Sequence, residues 1–321
     1  MNVFLTGANG FVGSHILARL LRENHRVHIL LRRTSDTSLI EDFLPEVSTH
    51  YGSLGDRESL QTALDCGPND ALVHCAGKTK AVRVGSYYGV NVGGMGNLCG
   101  AIRGISSPPR RVILISSMAA GGPGTISHPA AEDDPPRPVS HYGRSKLQAE
   151  GVLKEECPVP WTILRPSAVY GPGDTDFFDV FRAVDRGIIP LLGGGRQPVS
   201  LIYAPDLARA VLGALDSDRA IGRTYNVANP RPVTTGELPR LIADIMDRRA
   251  LPLPIPLLAL YPVCLLKELQ ARITGTPHIL NMQKMREYSA EGWVCDTARA
   301  RRELDFTAPT DHRRGLTDQG L

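Results

Sequence analysis

The sequence predicts an α/β protein built on a doubly wound parallel sheet, with a smaller carboxy-terminal region set against it. Three observations carry that expectation. Short apolar runs of strand length alternate with helix-length runs through the first 165 residues, the pattern of successive βαβ units. The first apolar run passes into a glycine-rich turn at residue 7, and an amphipathic helix follows directly. Further on, Tyr142-Gly143-Arg144-Ser145-Lys146 opens a helical run, where a four-residue spacing stacks the phenol and the ammonium on one face, one turn apart.

Val3-Phe4-Leu5 reads as a buried strand that enters Thr6-Gly7-Ala8-Asn9-Gly10-Phe11-Val12-Gly13-Ser14-His15, and the helix continues through Ile16, Leu17, Leu20 and Leu21. The glycines have separate uses. Gly7 allows the tight turn, Gly10 lets backbone amides approach a pyrophosphate, and Gly13 lets helix and strand pack closely, with the helix amino end facing the phosphates. A second strand over 27–31 ends at Arg32-Arg33-Thr34-Ser35. Sites for NAD commonly carry an acid at that point, whereas guanidinium and hydroxyl groups suit a 2′-phosphate, so the sequence predicts NADP over NAD. Arginine pairs at strand ends are also common as plain solubilising residues.

The alternation continues with a helix near 38–43, a strand near 47–50 and a helix over 56–64 that Asp56 is placed to cap. Strands are expected at 71–76, 111–117 and 161–165, and helices at 87–102 and 142–156. After Pro166 the pattern changes to loops, a helix over 177–186, a strand at 199–203, a helix at 206–215, a strand at 224–227 and a helix at 234–246. The remainder reads as helical and loop-rich. The expected organisation is a nucleotide-binding domain over 1–165, its sheet completed by about 199–228, with 166–198 and 229–321 interleaved as the substrate-binding region.

Composition excludes several classes. A formal charge of +3 over 321 residues gives no footprint for nucleic acid or another polyanion. The six cysteines (Cys66, Cys75, Cys99, Cys157, Cys264, Cys295) are scattered without CxxC spacing, as are the nine histidines, so reduced thiols and no structural metal are expected. The first residues lack a basic segment before an apolar one, which points to a cytoplasmic protein without a secretory signal. Residues 251–266 are strongly apolar but contain Pro252, Pro254, Pro256 and Pro262, which a bilayer-crossing helix would tolerate poorly. That stretch is expected to line an apolar pocket, to touch a membrane peripherally, or to be a core helix.

Together with the glycine turn, His74-Cys75-Ala76-Gly77, Asn91-Val92-Gly93-Gly94, Ile115-Ser116-Ser117, the Tyr142 to Lys146 run, Leu164-Arg165-Pro166, Val169-Tyr170-Gly171-Pro172 and Asp206-Leu207-Ala208 resemble, in this order and spacing, the extended short-chain dehydrogenases/reductases, also called the NAD-dependent epimerase/dehydratase family. The likeness spans nearly the whole chain and implies a Rossmann sheet. It implies that Tyr142 is the general acid/base, that Lys146 holds the nicotinamide ribose and lowers the tyrosine pKa, and that Ser117 hydrogen-bonds the reacting oxygen. Strand alternation lets only one of Ser116 and Ser117 face the site; the spacing to Tyr142 favours Ser117. Asn91 matches a proton-relay position, although a buried helix asparagine also serves structure. Cofactor contacts carried over are Gly7, Asn9, Gly10, Phe11, Val12, Gly13, Arg32, Arg33, Ser53, Leu54, Cys75, Ala76, Gly77, Tyr142, Lys146, Pro166 and Val169. Substrate contacts are Ser117, Met118, Tyr170, Phe177 and Phe178, and a homodimer through the helices at 87–102 and 142–156 is common in similar proteins.

Departures from the family pattern narrow the substrate. Sugar dehydratases follow the serine with an Asp-Glu pair, where this chain has Met118-Ala119-Ala120. Members that bind a nucleotide sugar carry an arginine where Val199-Ser200-Leu201 stands, with Arg196 as a candidate substitute. Epimerases place a tyrosine after the serine, where Gly121-Gly122-Pro123 follows, and Ser53 replaces the aspartate that often contacts adenine. What remains resembles the branch of 3β-hydroxysteroid dehydrogenases and dihydroflavonol reductases. The expected activity is an NADP-dependent interconversion of a secondary alcohol and a ketone on an apolar molecule, steroid-, flavonoid- or β-keto-lipid-like. The alternatives are a nucleotide-sugar epimerase with tightly bound NAD and a non-catalytic nucleotide-sensing regulator.

Overall fold

The computed structural model describes the chain apart from residues 66, 68, 276–281 and 319–321. Cys66 therefore lies outside the described residues. In chain order the first half runs β1 (Asn2–Thr6), α1 (Phe11–Arg22), β2 (Arg26–Leu31), a 3-10 segment (Ser38–Glu46), β3 (Ser48–Tyr51), α2 (Arg57–Leu64), β4 (Ala71–His74), α3 (Gly85–Tyr88), a π turn (Gly89–Gly93), α4 (Gly94–Gly104), β5 (Val112–Ile115), α5 (Met118–Gly121), α6 (His141–Glu156) and β6 (Trp161–Pro166). The second half runs β7 (Ala168–Tyr170), α7 (Phe178–Asp185), β8 (Ile188–Leu192), β9 (Pro198–Val199), β10 (Leu201–Tyr203), α8 (Ala204–Asp216), β11 (Arg223–Val227), β12 (Val233–Thr234), α9 (Glu237–Ile245), β13 (Leu251–Ile255), α10 (Leu257–Thr274), α11 (Met282–Tyr288), α12 (Ala298–Glu303) and α13 (His312–Thr317).

Seven strands form one sheet in the order β11-β6-β5-β4-β1-β2-β3, with every neighbouring pair parallel. The order reverses at β1, which is the topological switch of a doubly wound sheet. All four residues of β4 and of β5 are buried, as strands covered on both faces must be. One core lies between the sheet and α1 with α8, through Leu5, Leu17, Ile29, Leu207 and Val211; the other lies under α2, α4 and α6, through Phe4, Leu60, Leu98 and Leu153. A third core around Tyr170, Phe181, Leu201 and Ile242 holds the carboxy-terminal region.

Local chemistry sets the element ends. Asp56 caps α2 as its sequence position suggests, its carboxylate accepting from the Glu58 and Ser59 amides. The expected helix over 87–102 is instead two α segments joined by the π turn, where the poor helix formers Gly89, Gly93 and Gly94 let the ladder loosen. The strand expected to reach residue 117 stops at Ile115, because Ser117 turns outward to cap α5 through the Ala119 amide.

The expected strand at 199–203 divides. β10 pairs with β7 and β9 pairs with β12, so neither joins the main sheet, which β11 alone completes beside β6. Between them the Ser200 amide donates to the Trp293 carbonyl at 2.8 Å, which diverts the chain toward the carboxy-terminal segment. Residues 251–255 form a strand rather than part of a helix, pairing with β8, and α10 follows with most of its surface exposed.

Candidate active site

The site assembles at the carboxyl ends of β1, β4 and β5, where a doubly wound sheet opens its crevice. Gly7 has φ +76 and sits so close to the β4 exit that a Cβ there would stand 2.6 Å from the Ala76 nitrogen. A Cβ at Gly13 would stand 1.8 Å from the Gly7 carbonyl oxygen, so only glycine permits the turn and the helix to pack. Gly10 is exposed, and a Cβ there would meet nothing nearer than 3.4 Å. It is also the N-cap of α1, which has no side-chain cap and no acid in its first turn. The amides of Phe11, Val12 and Gly13 thus form an uncapped positive helix end above an open glycine, a cradle that fits a pyrophosphate. Asn9 braces the loop by donating to the Asp36 carbonyl at 2.9 Å.

Arg32 is the first residue beyond β2 and is exposed, while the Arg33 guanidinium lies over the Tyr51 ring at 5.1 Å. Ser53 and Leu54 follow β3. The Ser53 hydroxyl accepts from the Gly55 amide at 3.2 Å, and Leu54 packs against Gly94 while its carbonyl accepts from Asn97 at 2.7 Å. Cys75 and Ala76 are tied back to β1 by bonds to the Thr6 carbonyl and hydroxyl at 3.1 and 3.3 Å. Burial pushes the Cys75 thiol up to about 11, so it is no nucleophile at neutral pH. Pro166 ends β6 beside Val227 of β11, and Val169 of β7 packs on the sheet core.

Helix α6 carries the phenol and the ammonium. Ser140 caps it, accepting from the Gly143 amide at 3.1 Å, so Tyr142 stands in the first turn and Lys146 in the next. The Ser117 hydroxyl, which accepts from the Ala119 amide at 3.2 Å, lies near enough to the Tyr142 phenol to lower its pKa. Ser116 faces away, donating to Glu150 at 2.5 Å, so the structure places Ser117 rather than Ser116 beside the tyrosine. Lys146 is buried, and its Nζ donates to the Ile115 carbonyl at 2.8 Å. A Cβ at Gly77 would stand 3.3 Å from that Nζ and 3.2 Å from Asn91 Oδ1, so the end of β4 runs directly past both. Asn91 is held from three directions: Oδ1 accepts from the Lys78 amide at 2.7 Å, and Nδ2 donates to the Lys78 carbonyl at 3.1 Å and to Ser145 Oγ at 2.8 Å.

Burial dominates the electrostatics. It pushes the Tyr142 phenol up to about 12 against the lowering effect of the Ser117 hydroxyl, with Glu287 raising it further and Lys284 opposing. Burial also lowers Lys146, countered by Cys75 and Glu150. The expected depression of the phenol is thus reversed in this arrangement, where the ammonium is engaged by a backbone carbonyl. Its physical cause is desolvation of the phenolate.

Of the expected substrate contacts, one is enclosed by the core. Tyr170 is fully buried in the carboxy-terminal core, its ring 5.7 Å from Tyr203 and so close to Gly315 that a Cβ there would meet its hydroxyl at 2.7 Å. It is a packing residue. Phe177 leans on Tyr170 at 6.0 Å, and Phe178 is exposed beneath the Arg182 guanidinium. Met118 stays near the site, following Ser117 and packing with Ala228, Cys295 and Trp293.

Other groups at the site escape sequence reasoning. Arg165 clamps Glu150 with two bonds of 2.9 and 2.6 Å, both residues buried, which fastens α6 to β6. The signal was present, since Glu150 falls one turn beyond Lys146 and Arg165 stands in a quoted motif. Lys284 and Glu287 of α11, paired at 2.6 Å, reach the field of Tyr142 from the far end of the chain. Only their three-residue spacing marks them in the sequence.

With this geometry in hand, the comparisons with known proteins are specific. A family model described as the NAD dependent epimerase/dehydratase family matches residues 3–228. The chain is 29% identical over 270 residues to a UDP-glucose 4-epimerase of Vibrio cholerae, covering 80% of this chain and 79% of that one. It is 28% identical over 299 residues to the ceramide reductase of Caulobacter vibrioides, covering 92% and 86%. It is also 28% identical over 334 residues to sterol demethylase protein B of Methylococcus capsulatus, covering 99% and 97%.

Proposed function

The chain belongs to the NAD-dependent epimerase/dehydratase family, and from that premise we propose that it interconverts a secondary alcohol and a ketone on an apolar, lipid-like substrate, with NADP as its preferred nucleotide. The observation that carries the redox chemistry is the buried Lys146 beside Gly77 at the β4 exit, one helical turn from Tyr142 on α6. When bound, the nucleotide supplies or accepts the hydride. In the reducing direction Tyr142 donates its phenolic proton to the carbonyl oxygen, and Ser117 donates a hydrogen bond to the same oxygen. Lys146, close to Gly77, would bond the ribose, and Asn91 fixes the β4 exit against α6. The choice of NADP is supported by the exposed Arg32 just beyond β2, since a guanidinium suits a 2′-phosphate.

The apolar substrate is supported by what replaces the diphosphate-binding cation. Val199 sits in β9 against β12, with buried Ser200 and Leu201 following. Arg196 lines a mixed cleft with Leu192, Gln197, Leu257, Tyr288 and Glu291, where Glu291 sets an acid among the lining of the arginine that could replace the diphosphate-binding one. Two relatives, covering 92% and 99% of this chain, carry names of ceramide and sterol enzymes, and a third that covers 90% carries the name of a 4-epimerase acting on a sugar joined to a polyprenol diphosphate. The second reading is a nucleotide-sugar epimerase that oxidises and re-reduces one carbon on a retained NAD, and the UDP-glucose 4-epimerase relative weighs toward it.

One experiment separates them: the purified chain is given NADPH or NADH with ketones spanning steroids, β-keto lipids, flavonoids and UDP-sugars. Net NADPH oxidation with an apolar ketone is expected. Nucleotide retained through purification, together with 4-epimerisation of a UDP-sugar and no net absorbance change, would establish the second reading instead.

A further inference from the structure

Helix α10 departs from the usual surface helix, which turns a polar face to water. Its inner side, Leu260, Cys264 and Ala271, is buried, the first two in a cluster with Met285 and Leu257. Its outer side is apolar as well. Leu258 is 79% exposed, Leu265 63% and Ile273 80%, and with Tyr261 and Leu269 they fall at three- and four-residue steps. The stripe runs for about 22 Å along the helix. Leu251 and Leu253 of β13, and Ile188 beside Leu251 on β8, extend it. Residues 250–266 contain no charged side chain, Arg248 and Arg249 precede them, Lys267 and Arg272 follow, and Glu268 is the one acid between residues 248 and 275.

Two occupants fit this face poorly. The Leu251 amide donates to the Gly187 carbonyl, so by strand alternation residues 251, 253 and 255 bond toward β8 and Pro252 and Pro254 turn to the open edge. That edge offers no N–H to an added strand. A second copy packed isologously, α10 antiparallel to α10, would bring the Arg248-Arg249 end of each copy to the Lys267 and Arg272 end of the other. Cations would face cations across an apolar seam. An apolar stripe bracketed by cations complements a surface with an apolar interior and anionic headgroups.

We propose that α10 and β13 dock the protein on an anionic phospholipid bilayer, with the leucine stripe at the headgroup–acyl boundary and the flanking cations at lipid phosphates. Arg248 and Arg272 now pair with Asp185 and Glu268 on the exposed surface, contacts that phosphates can replace. Helix α11 lies between this face and the site. Its Met285 and Tyr288 pack in the α10 cluster, while its Lys284 and Glu287 act on Tyr142. A substrate partitioned in the bilayer would meet the site through that layer, a step that rests on the apolar-substrate reading, whereas docking itself does not.

The test is flotation of the full chain with vesicles of roughly three parts phosphatidylcholine to one part phosphatidylglycerol, and with phosphatidylcholine alone. The protein should float with the anionic vesicles, less so at high salt. The surface variant L258Q/L265Q/I273Q should lower partitioning at least about tenfold with an unchanged melting temperature, and R249E should weaken binding to the anionic vesicles alone. The proposal fails if the parent chain stays in the aqueous fraction with both vesicles, or if the triple variant floats equally well. It also fails if light scattering finds a dimer that the triple variant dissolves, because a second copy would then cover the face. No turnover is measured, so failure here leaves the substrate reading standing.

Discussion

Tyr142 carries the most direct consequences at the scale of single residues. Its phenol is pushed up to about 12, so it is protonated at neutral pH and stands ready as an acid for ketone reduction. The reductive rate should therefore stay level from mildly acidic to mildly alkaline pH and fall only as the phenol begins to ionise, while the oxidative rate should climb with pH; a reductive limb falling near neutrality would remove Tyr142 as the donor. Replacing Tyr142 by Phe should cut turnover by roughly a hundred- to ten-thousand-fold. Nucleotide binding, read by fluorescence titration, should hardly change, since the glycine cradle is untouched. Arg32→Asp addresses the other end of the nucleotide. It replaces the exposed guanidinium beyond β2 with the acid that suits a free ribose, so the ratio of NADPH to NADH affinity should invert; unchanged ratios would move the phosphate to Arg33.

Elements enter where a side chain fastens one to another. Helix α6 is bolted to β6 by the Glu150–Arg165 clamp and to the β5 exit by Ser116, with all three side chains buried. Glu150→Gln keeps the shape but leaves a buried guanidinium without its anion, which should cost about 3–5 kcal/mol in urea unfolding. Pairing it with Arg165→Met should recover much of that loss, because a buried pair is weak evidence for net stability. The start of α6 was legible because Tyr142 and Lys146 carry the helical spacing, to which the structure adds the Ser140 cap, and the glycine turn was legible for the same local reason. The π turn at 89–93 and the break after Ile115 were not, since apolar spacing registers neither the glycines at 89, 93 and 94 nor the Ser117 cap on α5. Residues 251–255 looked like the front of an apolar helix, yet they pair with β8, a partner more than sixty positions away that no local pattern names. Tyr170 was misplaced because a motif position says nothing about whether His312 and Gly315 will enclose it.

Across the whole molecule, six histidines take up a proton less readily in the folded state than a free imidazole does. Burial is the first cause that lowers His15, His25, His28, His50, His74 and His141, and it takes His74, bonded to the Thr6 hydroxyl at 2.8 Å between β1 and β4, down to about 3. An unfolded histidine titrates near ~6.5, so between there and about 3 the unfolded chain binds the proton that folded His74 refuses. Stability must then fall as pH drops through that window, by up to about 1.4 kcal/mol per pH unit from this residue. Asp174 works the other way, since burial raises it to about 6 and the folded state takes its proton first, which offsets part of the loss between about 6 and the unfolded carboxylate range. The histidines outnumber such carboxylates, and above about pH 6 Asp174 no longer opposes them, so acid lability should begin just below neutrality. Urea unfolding of the parent chain and of His74→Gln between pH 7 and pH 4 reads the contribution directly. The variant starts less stable if the Thr6 bond is lost, but its stability should fall less steeply with acid; parallel slopes would mean that His74 takes up its proton without unfolding the sheet.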